Sequence, residues 1–320
     1  MKHFGAIALA VIAFATSGTQ GQDKKEAPKK KSVPAPQIAP DATERYGKHE
    51  RQVIDFWQAE SKTPTPLVLY IHGGGWRAGD KSGLGSDAIK RYLANGISVA
   101  AINYRFTNHG QEEGVTPPVK APLEDSARAL QVIRSKAKEW NLDKVRIGAT
   151  GGSAGGCSSL WLAFHDDMAD PKSSDPIARE STRLYCAAVN GAQVSLDPKE
   201  TRTWMPNYTY GAHAFGLSNL DNVMKDRDRL LKWIHEYSPI DHVTKDDPPI
   251  FMEYPSQKLP PVVGENQTDP THSAVLGLKL AEKLKDNGIE TILVYPGQTH
   301  PQYRTSADFL IDRLPRKNEK

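Results

Sequence analysis

The sequence predicts an α/β chain with a mostly parallel central sheet flanked by helices. Three observations predict it: short apolar runs of strand length recur along the chain, segments of helical length separate most of them, and no Pro/Gly-rich break divides the chain after Asp41. Strands joined through helices lie parallel and buried on both faces, and so read as near-continuous apolar runs. Ligands in such sheets bind beyond the carboxyl ends of the strands, so chemistry is expected in the turns that follow them.

The chain opens with "MKHFGAIALAVIAFATSGTQGQ": a basic start at Lys2, an apolar run from Phe4 to about Ala15, then small residues. That run is too short to span a bilayer and predicts an export signal over 1–21, with a mature start near Gln22 and a periplasmic or secreted protein. No Cys follows the run closely, which argues against a lipid anchor. Residues 22–41 are rich in Lys and Pro and poor in apolar side chains, and predict a disordered tether, because they bury too little surface to offset chain entropy. Residues 42–320 then read as one domain.

Charge excludes one class of function. Residues 1–41 hold six lysines against three acids, and this excess equals the formal charge of +3 for the whole chain. The remainder is neutral on balance, which gives no electrostatic case for nucleic-acid binding. The "KKEAPKKK" run reads as a solvated linker rather than a binding patch. Cys157 and Cys186 lie among apolar or small residues and are expected as buried free thiols, although a disulfide between them stays open. Neither pairs with a His at a zinc-ligand spacing, so no metal and no organic cofactor is expected.

"RQVIDFWQ" alternates like a half-buried strand, and "PLVLYIHGGG", "ISVAAINYR", "VRIGATGGS", "YCAAVNGA", "PIFMEYP" and "ETILVYPG" are apolar runs closed by turns. Helices are expected at 86–95, 121–140, 154–165, 273–287 and 306–314. Residues 196–247 are longer than a usual crossover and carry Trp204, Tyr208, Tyr210, His213 and Phe215. They read either as a cap-like insertion over the strand ends or as a helical connection without contact to substrate.

Two glycine motifs carry chemistry. "ATGGSAGGCSSL" holds Gly151-Gly152-Ser153-Ala154-Gly155, the pattern G-x-S-x-G, with an apolar strand running in and a helix-compatible run leading out. A serine on such a sharp turn is presented as a nucleophile, and the helix N-terminus favours negative charge beside it. In "LVLYIHGGGW" three glycines follow a strand, which lets backbone amides aim at one point, as an oxyanion hole requires. The N–H groups of Gly74, Gly75 and Ala154 are the expected donors. The run lacks the Lys and the spacing of a phosphate-binding loop.

Together "HGGGW", "GGSAGG", "NYRF" with "PLEDSARAL", and "VYPGQTHPQY" resemble the α/β-hydrolase superfamily, in the branch of esterases and lipases with the HGGGW signature. The resemblance spans about Thr43 to Leu314. It implies an α/β-hydrolase fold, a serine carboxylic-ester hydrolase, Ser153 as nucleophile, His72 to Trp76 as oxyanion loop, and an acid and a base following the serine in that order. By the same resemblance His300, after the last predicted strand, is the expected base, with His272 its main rival. The acid is expected on the turn after the penultimate strand: Asp269 first, then Glu265 and Glu253. The loop bearing Asp269 is longer than the family pattern. Exported chains of this look resemble acetyl or feruloyl esterases, which implies a small-molecule or carbohydrate ester as substrate. An exopeptidase of the same fold and a catalytically silent scaffold or binding protein are the alternatives.

Overall fold

In a computed structural model of the protein, the described residues are Met1, 38–258 and 260–315. The predicted export signal and nearly all of the predicted tether lie outside them. Residues 38–41, at the end of the predicted tether, are hydrogen-bonded to the folded domain. Trp57 Nε1 donates to the Ile38 carbonyl, the Asp41 amide to the Phe56 carbonyl, and the Gln58 amide to Asp41 Oδ2. Ile38 is an apolar residue with an apolar groove to fill, and the Pro/Lys composition around it concealed that.

The elements run β1 (Ala42–Arg45), β2 (Val53–Trp57), β3 (Thr65–Ile71), α1 (Ser86–Leu93), β4 (Ser98–Asn103), α2 (Thr107–Glu112), α3 (Lys120–Ser135), β5 (Leu142–Gly152), α4 (Ala154–Phe164) and β6 (Cys186–Asn190). Then come α5 (Pro198–Trp204), α6 (Leu220–Lys225), α7 (Arg227–Tyr237), β7 (Ile250–Glu253), α8 (Ala274–Asp286), β8 (Thr291–Val294) and α9 (Ser306–Arg313). Eight strands form one sheet in the order β1-β2-β4-β3-β5-β6-β7-β8. The pairs β1/β2 and β2/β4 are antiparallel and the other five are parallel. This is the α/β-hydrolase architecture the motifs implied. Every predicted strand and helix is present; β1 is the strand not predicted, because four half-exposed residues at a sheet edge carry no apolar run.

Alternation along the strands divides the core between two faces. Leu67, Leu69 and Ile71 of β3 join Leu123, Leu130 and Leu160 from α3 and α4 on one face. Val68, with Val99, Ala101 and Phe251, meets Ile89 and Tyr92 of α1 and Phe309 and Leu310 of α9 on the other. Cys157 and Cys186 are buried free thiols, and burial pushes the Cys186 thiol up to about 12. Among the described residues no helix is long and apolar enough to cross a membrane.

The loop after β4 is fixed by a buried ion pair. Asp125 of α3, 2% exposed, accepts from Arg105 Nη2 at 2.7 Å, from the Arg105 amide at 2.8 Å and from Gln52 Nε2 at 2.8 Å. The "NYRF" and "PLED" motifs are thus the two ends of one strut. Its neighbour Tyr104 donates to the His72 carbonyl at 2.7 Å and holds the end of β3.

Candidate active site

β3 and β5 are central neighbours, and their carboxyl ends converge. Ser153, between β5 and α4, has φ 52° and ψ −126°, a conformation held by packing on both sides. Gly155 is required here: a Cβ would lie 2.1 Å from the Ile71 carbonyl oxygen. The helix can therefore start directly against the end of β3. Gly73 answers from the other loop, where a Cβ would lie 2.6 Å from the Gly152 carbonyl oxygen. Backbone touches backbone, so the 72–76 loop and the serine turn form one unit.

Trp76, fully buried, pins that loop. Its Nε1 donates to Ser158 Oγ of α4 at 2.9 Å. His72 serves as a strut. It stacks on Tyr104 with ring centroids 4.2 Å apart, its Nδ1 donates to the Gly73 carbonyl at 2.8 Å, and its Nε2 accepts from Arg51 at 3.3 Å. Burial holds it neutral, with its pKa down at about 4.

Ser153 Oγ is 2.9 Å from His272 Nε2, and His272 Nδ1 is 2.9 Å from Asp269 Oδ2. Serine, imidazole and carboxylate therefore form one hydrogen-bonded chain. Asp269, predicted as the acid, is in it, and the order serine, acid, histidine along the chain is kept.

His300, expected as the base, is not in it; the imidazole beside Ser153 belongs to His272, its rival. The His300 ring stacks on Tyr303 with centroids 5.1 Å apart, and its Nδ1 accepts from the amides of Gln302 and Tyr303. It lines a separate pocket of about 550 Å³ with Glu253, Tyr295 and Arg304. The two rival acids are elsewhere too. Glu253 Oε1 accepts from the amide and hydroxyl of Ser306 at the start of α9, and Glu265 is exposed.

Three features bring His272 to the serine. Asp269 caps the 3-10 turn Pro270–His272, so that acid and imidazole stand at i and i+3, which eclipse in such a turn. Gly191, with φ 53°, presents a bare α-carbon to the ring; a Cβ there would sit 3.4 Å from His272 Cβ. Gln193, fully buried, donates from Nε2 to the Thr271 carbonyl at 2.8 Å. The sequence signal that could have found this is the D-P-T-H spacing itself, which puts acid and base on one side of a single turn.

The long loop before the turn is held by amides. Gln257 Nε2 donates to Gln267 Oε1, Ser273 Oγ to Gln257 Oε1, and Asn207 Nδ2 to the Gln267 carbonyl. A pocket of about 630 Å³ is lined by Arg77, Asn108, Gln111, Tyr210, His213 and, next in the chain to His272, Thr271, among others. The segment thus does reach the strand ends: Tyr210 and His213 both lie within 4 Å of where a Gly75 Cβ would stand.

The sequence matches the BD-FAE family, of α/β-hydrolase esterases, over residues 54–267, well over half the chain. The chain belongs to the BD-FAE family. Among curated proteins it is similar to the probable carboxylic ester hydrolase LipM of Mycobacterium tuberculosis, at 25% identity over 213 residues, or 65% of this chain and 45% of that one. Against the carboxylesterase NlhH of the same organism identity is 33% over 111 residues, 34% of this chain and 32% of the relative. This BD-FAE chain spans about half the length, or less, of these curated relatives. Among solved structures it is similar to a truncated carbohydrate esterase from gut microbiota, with TM-score 0.64, 20% identity, and coverage of 88% of this chain and 98% of that one. An acetyl ester-xyloside bifunctional hydrolase from Caldicellulosiruptor lactoaceticus gives TM-score 0.60 at 20% identity, covering 81% and 86%. These structural likenesses establish the α/β-hydrolase fold.

Proposed function

We propose that this chain hydrolyses carboxylic esters through an acyl-enzyme on Ser153, with His272 as base and Asp269 as orienting acid. The observation that carries the reading is the continuous hydrogen-bonded chain from Ser153 Oγ through His272 to Asp269, set beside a glycine loop. A serine hydroxyl is a weak nucleophile until a base takes its proton. In this reading His272 Nε2 accepts that proton as Oγ attacks the acyl carbon. The tetrahedral oxyanion forms against the amides of Gly74, Gly75 and Ala154. Collapse expels the alcohol, which receives the proton from His272, and water repeats the sequence to release the acid. Asp269 accepts from Nδ1–H throughout and fixes the tautomer in which Nε2 is the base.

The substrate class we favour is a short acyl group on a sugar or similar polar alcohol. The pocket beside the triad supports it, being lined by Arg77, Asn108, Gln111, Tyr210 and His213 rather than by an apolar tunnel. Tyr210 Oη is buried without a hydrogen-bond partner in the fold, as a group reserved for substrate would be. Aromatic faces also suit sugar rings.

Two measurements test this. A fluorophosphonate probe should label the wild type and not Ser153→Ala; absence of labelling would support a silent scaffold. Turnover on acetylated xylan, feruloylated sugar and aryl esters of increasing acyl length should favour the short polar substrates. Preference for long acyl chains, or cleavage of peptides alone, overturns the assignment. Export is a further part of the proposal, motivated by the apolar run after Lys2; cell fractionation with a mature N-terminus near Gln22 tests it.

A further inference from the structure

α4 begins at Ser153 and, at its other end, meets a cluster the reaction does not use. His165 caps α4, Glu236 lies in the last turn of α7, and His242 closes the 3-10 turn Pro239–His242. One ring nitrogen of each histidine and one carboxylate oxygen of Glu236 lie within 4.8 Å of one another, all three side chains half-buried.

Proton positions show what the cluster needs. His165 Nδ1 is 2.8 Å from the Asp166 carbonyl oxygen, which can only accept, so Nδ1 carries the hydrogen. In the neutral ring Nε2 is then a lone pair, and it faces Glu236 Oε1, another lone pair, at 3.2 Å. Such a pair needs a cation between its members, either a proton or a metal ion. His242 Nε2 donates to the Glu236 carbonyl at 2.7 Å, which leaves Nδ1 of that ring as its lone-pair nitrogen. Each histidine thus gives its N–H to a backbone carbonyl and keeps the other nitrogen bare, the outer arrangement that metal-bound imidazoles have.

The surroundings favour a cation. The C-terminal ends of α4 and α7, the negative ends of their dipoles, meet here. The Glu236 carbonyl also accepts from Trp161 Nε1 at 2.8 Å, so the backbone beneath the carboxylate is fixed. The nearby Arg183, whose Nη1 donates to the His165 carbonyl, is matched by Asp246 at 2.6 Å. Tetrahedral zinc with bonds of about 2.0–2.2 Å sets its ligands roughly 3.3 Å apart. The His165–Glu236 separation already fits, and the half-exposed Glu236 side chain is free to rotate toward the second imidazole.

We propose that His165, Glu236 and His242 bind a zinc ion, with water completing the shell, and that this ion ties the C-terminal end of α4 to the segment that lines the substrate pocket. Two imidazoles and one carboxylate with water in the fourth position are a ligand set that zinc takes. The site is independent of the ester-hydrolase assignment.

The experiment is a calorimetric titration of ZnCl₂ into chelator-treated, dialysed full-length protein, with melting curves run alongside. One zinc per chain should bind, and saturating zinc should raise Tm. His165→Gln, Glu236→Gln and His242→Gln should each weaken binding at least about tenfold and remove most of the Tm shift, whereas His235→Gln and His300→Gln, at histidines outside the cluster, should change neither. Zinc-edge X-ray absorption of the wild type, which needs no variant to fold, should show two imidazole ligands. Absence of stoichiometric binding, binding undiminished in the three variants, or a shell without imidazole overturns the proposal.

Discussion

Asp269 and His272 stand three residues apart on one 3-10 turn, and the carboxylate holds the imidazole twice: Oδ2 is 2.9 Å from Nδ1, and Oδ1 accepts from the His272 amide at 3.3 Å. The proposed acid and base are therefore carried by one turn that docks on Ser153 as a unit. Asp269→Asn should lower kcat by roughly three to four orders of magnitude, because an amide that donates to Nδ1 selects the wrong tautomer. Glu265→Gln and Glu253→Gln should stay within about threefold of wild type on the same scale of ΔΔG‡. Steady-state kinetics on a short aryl ester separates the three.

The two histidine candidates give the sharpest contrast. His272→Ala should cost about four orders of magnitude in kcat/KM. His300→Ala should cost less than about threefold, since its ring contacts Tyr303 and not Ser153. If His300→Ala abolishes turnover and His272→Ala spares it, the triad proposed here is wrong.

Gln193 acts through the turn and not on substrate. Replacing it with Leu keeps the volume and removes the bonds from Nε2 to the Thr271 and Gly191 carbonyls; its Oε1 has no partner to lose. We expect kcat to fall about tenfold with KM nearly unchanged, and stability to fall by about 1 kcal/mol. A change confined to KM would place Gln193 in substrate binding instead.

Asp125→Ala should be the costliest of the structural changes. It leaves the largely buried Arg105 without the carboxylate that raises its pKa, and breaking such a pair costs about 3–5 kcal/mol. Urea denaturation measures the loss, and Asp125→Asn should recover part of it through the Arg105 amide and Gln52.

Stability should fall with acidification below about pH 6.5. Burial lowers His72 to about 4 and His213 to about 4, so the unfolded chain takes up these protons first and the stability they confer, complete above the unfolded value, is lost as pH falls toward 4. For His72 the loss is on the order of 3 kcal/mol. Asp247 opposes this: burial raises it to about 6, so the folded state gains its proton first as pH falls through 6. Two histidines outweigh one carboxylate, and urea midpoints should be lower at pH 4.5 than at pH 7. His72→Gln should shrink the difference.

Much of this was legible in the sequence for a local reason. The serine turn needs glycine at fixed offsets because a Cβ on Gly151 would meet the Gly155 backbone at 2.6 Å, and that need is written in adjacent residues, although the Ile71 carbonyl that also crowds both is distant in the chain. The glycine loop after β3 and the alternating strands are local in the same sense. The Arg105–Asp125 strut was visible only as two motifs, since nothing in either shows that they touch.

By itself, the sequence carried the apolar strand pattern, the serine turn and the glycine loop, since each follows from periodicity or turn chemistry within a few residues; Asp269 came from the family resemblance, ahead of Glu265 and Glu253. Only the tertiary structure places His272, and not His300, beside Ser153. That choice depends on Gly191 clearing room for one ring, Gln193 holding its loop, and Tyr303 and Ser306 occupying the alternatives. These contacts join residues distant in the chain, and close packing fixes them through three-dimensional complementarity that one-dimensional order does not carry.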